Sequence, residues 1–177
     1  MKKLLLSAIT AICLTASIFA QAAEKETVPM KIREMVLGLD PAKIGITREK
    51  LKHPVWGMIM DTGFADGSFS LIALADGTTS LYFSDGGGIV GGGEHDSVRD
   101  ASGYYLTGAQ YFYKDATRTT TFPLPGDGEV KFYFLSFDGV SVYSALEEDL
   151  GNQQDKLFNL FYAAHGVITE LRKIEEQ

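Results

Sequence analysis

Ile32, Met35, Val36 and Leu39 recur at spacings of three and four residues, which predicts a helix with one apolar stripe. Thr27 is placed to cap that helix, Pro29 suits its first turn, and Gly38, Asp40 and Pro41 end it. From residue 55 the period shortens. Segments 55–62, 68–75 and 78–84 read as strands, separated by FADG and by Asp76-Gly77, a pair that tolerates positive φ and favours a tight hairpin. Phe69, Leu71 and Ala73 alternate with Ser68 and Ser70, so at least one face of this meander is apolar and requires a helical cover.

Between residues 94 and 116 the helical period returns, with Val98, Ala101, Tyr105, Ala109 and Phe112 on one stripe. Gly103 and Gly108 weaken that helix by about 1 kcal/mol each relative to Ala, and would admit a close neighbour. TRTTTFPLPGDG carries two prolines and no period, and reads as loop. A second hairpin follows, EVKFYFLSF and VSVYSAL joined by Asp138-Gly139. Its first strand is apolar on both faces and therefore central. Asn152 is positioned to cap a last helix, in which Leu157, Leu160, Phe161, Ala164, Ile168, Leu171 and Ile174 keep helical spacing. The expected fold is α+β: a five-stranded antiparallel sheet, made of a three-strand meander plus a hairpin, packed with three helices.

The first residues change where this domain is expected to work. Lys2 and Lys3 precede an apolar run that closes on Ala20-Gln21-Ala22, the pattern of a secretory signal peptide cleaved after Ala22. Residues 1–22 are thus expected to be a signal peptide, 23–27 a polar leader, and 28–177 a single domain, periplasmic or secreted, with no membrane attachment after cleavage. The one cysteine, Cys13, falls inside the leader, so the mature domain holds together without disulfides. With Lys2 and Lys3 removed from 16 basic residues, against 23 acidic ones, the net charge is near −9. Such a surface repels nucleic acid and anionic membranes.

The densest candidate for chemistry is SDGGGIVGGGEHDSV, residues 84–98. Gly86, Gly88 and Gly91 match the dinucleotide spacing. A meander precedes them and a Pro-containing loop follows, where a dinucleotide fold needs a parallel strand and a later acid. An anion or small-metabolite loop asks for less: Gly86, Gly91, Gly92, Gly93, Glu94 and His95 would offer backbone amides at a helix start. The competing reading is purely structural, with glycines supplying positive φ and close backbone approach, and with Glu94 and Asp96 capping the helix themselves. Adjacent side chains on a helix diverge by about 100°, so Glu94, His95 and Asp96 cannot share one metal ion, and neither a metal nor a cofactor is expected. No nucleophile elbow occurs, and Asp66, Asp76, Asp85, Asp127 and Asp138 all precede glycine, as turn formation requires. The residues name no catalytic group. Tyr104, Tyr111 and Tyr113 fall off the main stripe of the second helix and are candidates for a partner surface.

Two resemblances add to this reading. ALADGTTSLYFSDGGGIVGGGEHDSVRDA resembles a segment of a bacterial exported family that carries no assigned activity. The order of helix, three strands, helix, two strands and helix resembles the profilin-like folds, in particular the roadblock (dynein light chain type) domains, which implies a dimerising or assembly platform. The expectation is an exported, non-enzymatic module that binds a protein partner or forms a homodimer, of immunity or assembly type. The alternatives are a small-ligand domain using loop 86–95 and, third, a hydrolase.

Overall fold

The computed structural model describes residues 28–176, so the signal segment, the polar leader and the Thr27 cap lie outside the described residues. Within them an α+β architecture is present, built on a seven-stranded antiparallel sheet with four α-helices. The strands are β1 (Val55–Phe64), β2 (Gly67–Leu74), β3 (Thr79–Phe83), β4 (Gly88–Ile89), β5 (Thr117–Arg118), β6 (Glu129–Ser136) and β7 (Gly139–Leu146). Their order across the sheet is β4-β3-β2-β1-β6-β7-β5. The helices are α1 (Val28–Leu37), α2 (Asp96–Phe112), α3 (Glu147–Gly151) and α4 (Phe158–Glu175).

The expected counts of five strands and three helices are corrected in three places. Gly88–Ile89 turns back onto β3, with Leu81 opposite Ile89, and Thr117–Arg118 pairs with β7. Two residues are too few to show a period. The third correction is α3, which follows β7 directly. The chain then leaves helix, with Gln153 at φ 59°, so Asn152 closes α3 and does not cap α4; Leu157 stands at the N-cap of α4 with no side-chain capping bond, and Asp155 Oδ1 accepts the Leu157 N–H at 2.7 Å in the turn before it. None of the described helices is long and apolar enough to cross a membrane.

Alternation along the central strands divides the core in two. Met58, Met60, Leu71, Phe132 and Phe134 face one side, where Val98, Tyr105 and Ala109 of α2 and Leu160, Ala164 and Leu171 of α4 cover them. Ile59, Ile72, Leu74, Tyr133 and Leu135 face the other, beneath Leu37 of α1, Ile46 and Phe122. Gly108 lies where α2 meets α4, since a Cβ there would stand 3.4 Å from Leu160 Cδ1, whereas Gly103 faces open space. The second layer is thin, consisting of α1, the connector after it and the loop 119–128.

That thin layer is held by one buried ion pair. The register of α1 puts Arg33 inward at 3% exposure and leaves Met35, expected on the apolar stripe, 67% exposed. Arg33 Nε and Nη2 donate to Asp61 Oδ2 at 2.8 and 2.5 Å, and Ser70, the cross-strand neighbour of Asp61, donates its hydroxyl to Oδ1 at 2.6 Å. Burial pushes the Asp61 carboxyl up, and the guanidinium and the serine hydroxyl draw it back down. The pair also anchors the proline-rich loop: Arg33 Nη1 donates to the Phe122 carbonyl at 3.1 Å, Tyr133 Oη to that of Pro123 at 2.7 Å, and Lys131 Nζ to that of Leu124 at 3.3 Å. Three successive carbonyls thus find side-chain donors in a segment that lacks a regular ladder. Asp61→Ala strands the guanidinium and is expected to cost about 3–5 kcal/mol in urea unfolding. Removing both charges together, as Arg33→Met with Asp61→Val, should recover most of that loss, and a double variant no more stable than the single one would show that the pair is not the source of the cost.

Candidate functional site

The glycine-rich segment is built from the backbone outward. Positive φ at Gly86, Gly87 and Gly88 reverses the chain after β3, where Gly86 N–H donates to the Phe83 carbonyl at 3.1 Å. Ile89 then enters the core, Val90 stays exposed, and Gly91 at φ 77° begins a single 3-10 turn, Gly92–Glu94. Within that turn Glu94 N–H donates to Gly91 and His95 N–H to Gly92, both at 3.1 Å. Two of the amides considered for an anion are therefore engaged by the turn itself. Gly92 and Gly93 make a different contribution, because a Cβ on Gly92 would overlap Leu171 of α4 and one on Gly93 would overlap the carbonyl oxygen of Gly77. Arg99 latches the turn from α2, donating to the carbonyls of Gly93 at 2.9 Å and Glu94 at 2.8 Å while pairing with Asp96.

A cavity of about 410 Å³ lies beside this segment, lined by Thr78, Thr79 and Ser80 together with Gly91, Gly93 and Glu94. Asp76 also lines it, and its carboxylate accepts the Thr78 N–H at 2.9 Å. The electrostatics of this cavity are therefore acidic, with Asp76 and Glu94 on its walls. Gly86 is exposed in the preceding turn, and His95 is exposed at the start of α2 without a side-chain capping bond. His165 is half-buried against the Phe161 ring, centroid to centroid 4.3 Å, and its Nε2 has no partner among the described residues. No cluster of three or more metal-ligating side chains occurs among the described residues.

The three candidate tyrosines separate. Tyr104 and Tyr111, seven positions apart and so on one side of α2, are 73% and 72% exposed. Tyr113 instead turns inward, sharing a hydrogen bond with Ser136 Oγ at 2.9 Å and tilting against Phe134 at 6.2 Å. Its place on the outer face is taken by Tyr162 of α4, which sequence reasoning missed. Tyr162 is 48% exposed, its hydroxyl donates to the Gly151 carbonyl at 2.8 Å, and it flanks a groove of about 360 Å³ shared with Tyr104, Ala101, Ala163 and Gly166. The available signal was its absence from the apolar stripe of α4. The outer face of the α2–α4 pair therefore presents exposed aromatic rings beside small residues.

Compared with protein-family models, with curated proteins and with solved structures, the chain matches none.

Two outcomes are expected from this geometry. Gly93→Ala drives a methyl into the Gly77 carbonyl and should destabilise by more than 2 kcal/mol, whereas Gly91→Ala meets open space and should lose only the positive-φ preference, about 1 kcal/mol, in the same chemical melt. The second concerns pH. Burial, aided by Arg172, holds the His165 imidazole below its ordinary value, so below about pH 6.5 the unfolded chain takes up a proton that the folded one resists. Stability should fall as pH drops through that range toward the lower folded value. His165→Leu should flatten the fall in the thermal midpoint between pH 7.5 and 5.5, and an unchanged slope would place its origin elsewhere.

Proposed function

We propose that this protein is an exported, non-enzymatic module, of immunity or assembly type, that binds a protein partner or a second copy of itself through the outer face of α2 and α4. The observation that carries the reading is the pair Tyr104 and Tyr111, each more than two-thirds exposed, with Tyr162 beside Tyr104 on the neighbouring helix. Tyrosine offers a large, rigid contact surface with only two side-chain torsions to immobilise, and a hydroxyl that tolerates water in the free state. Small residues that share a groove with Tyr104 and Tyr162, namely Ala101, Ala163 and Gly166, leave room for a partner side chain. The signal-like residues 1–22 support export, and the resemblance of the element order expected from the sequence to roadblock-type platforms supports association.

A ligand role for loop 86–95 has less behind it. Its amides at Glu94 and His95 are engaged within the turn, and the cavity beside it is lined by carboxylates that an anion would have to approach.

Sedimentation equilibrium on the purified protein, with affinity capture from a periplasmic extract, tests the proposal. A dimer or one captured protein is expected. Tyr104→Ala with Tyr111→Ala should weaken that association by at least about tenfold per aromatic anchor lost, with an unchanged thermal midpoint. A monomer that captures nothing, or a double variant that associates as tightly as the unaltered chain, overturns it.

A further inference from the structure

The outer face of α2 and α4 carries charge as well as rings, and the charge narrows which partner it accepts. Asp100 and Tyr104 stand four positions apart on α2 and so share one side of it, with Asp100 directly before Ala101 of the groove wall. Asp100 is exposed and has no ion partner among the described residues. Beyond the groove, the bond from the Tyr162 hydroxyl to the Gly151 carbonyl brings the end of α3 against that ring. This five-residue helix contributes Glu147, Glu148 and Asp149 and no base, and none of the three is ion-paired among the described residues.

The cations of the same face are occupied or turned away. Arg99 serves Asp96 and the carbonyls of Gly93 and Glu94, and Lys156 pairs with Asp115 at 3.1 Å. Lys173 pairs with Glu170 at 2.7 Å, so the carboxylate that lines the groove is already neutralised. Lys114 has no ion partner among the described residues, but it follows Tyr111 and stands ten positions beyond Tyr104, about 15 Å at 1.5 Å per residue. Arg172 shares a side of α4 with His165, seven positions earlier, and acts on that imidazole. The unpaired charge nearest the groove is therefore acidic.

Aromatic faces attract a cation, and a guanidinium stacks on a ring while its fork reaches a carboxylate or a carbonyl. Tyr104 and Tyr162 supply the rings, Asp100 the carboxylate, and Asn159, exposed in the same groove, a side-chain carbonyl. An acidic partner would meet Asp100 and α3 without a counter-charge. A second copy is disfavoured for the same reason: a two-fold contact sets one patch against itself, in a chain with 23 acidic and 16 basic residues.

We infer that the partner held on the α2–α4 face is a basic protein segment, whose arginine side chain enters the groove of Tyr104 and Tyr162 and meets Asp100 beside it. The inference rests on the reading of this face as an association surface.

The probe is a blocked peptide of alternating glycine and arginine, titrated into the ¹⁵N-labelled purified protein at low ionic strength, where surface attraction is least screened. Saturable shifts of the Ala101, Tyr104, Ala163 and Gly166 amides are expected. The same peptide with glutamate for arginine should bind at least about tenfold more weakly. Tyr104→Leu keeps the apolar bulk without the ring and should weaken the arginine peptide by about twofold to fivefold. Asp100→Asn should weaken it about threefold. Glu175→Gln with Glu176→Gln removes two exposed charges at the far end of α4 and should leave the affinity unchanged. All these positions are exposed, so each variant folds.

No saturable shift at the groove, a glutamate peptide that binds as tightly, or a distant double variant as damaging as Asp100→Asn would each overturn the inference. Association with a second copy or an acidic protein that is lost in Tyr104→Ala with Tyr111→Ala would overturn the basic partner and leave the face as an association surface. Association indifferent to that double variant would overturn both.

Discussion

The buried pair Arg33–Asp61 is the constraint on which the thinner half of the molecule depends. A carboxylate at 0% exposure in the middle of the central strand is costly to place there, and it is acceptable only because α1 delivers a guanidinium and β2 a hydroxyl to it. The consequence reaches well beyond the pair. Because the same guanidinium binds the Phe122 carbonyl, the position of α1 on the sheet and the path of the proline-rich loop are determined together. Gly63 permits the loop its close approach, as a Cβ there would overlap the backbone of Gly126. A helix of ten residues and a loop without a ladder thereby cover a sheet face that on the other side has two long helices.

The two layers differ in cover. On the α2–α4 side the core is thick and well filled by apolar contacts, so the outer surfaces of both helices are free to carry exposed tyrosines without loss to the fold. On the α1 side coverage is incomplete, and a cleft lined by Trp56 lies where the cover ends between the segment after α1 and the last hairpin. The sheet separates the two, so the helical face and the cleft lie on opposite sides of it. Gln110 runs from α2 to the backbone of Val55, beside the register shift at Trp56.

Much of the fold was legible in local patterns. The hairpins at Asp76-Gly77 and Asp138-Gly139 fall where the dipeptides place them, because a tight turn with positive φ is a property of two residues and their neighbours. The central position of β6 followed from its apolar faces on both sides. What escaped were elements too short to have a period: the two-residue β5, and the five-residue α3, which the positive φ of Gln153 sets apart from α4.

The candidate sites were legible only in part, for a related reason. Sequence determined that residues 86–95 would turn sharply, and that several tyrosines of α2 would leave its apolar stripe, since both follow from glycine's conformational freedom and from helical spacing. It could not determine which glycines are required by a neighbour, because the Gly77 carbonyl and Leu171 reach Gly93 and Gly92 from distant parts of the chain. Nor could it distinguish Tyr113, which bonds Ser136, from Tyr111, which remains in solvent. The inward turn of Arg33 and the register shift that places Trp56 on the α1 side of β1 are likewise decided by tertiary structure. Burial and hydrogen-bond satisfaction are properties of surfaces brought together by folding, and no local period encodes them.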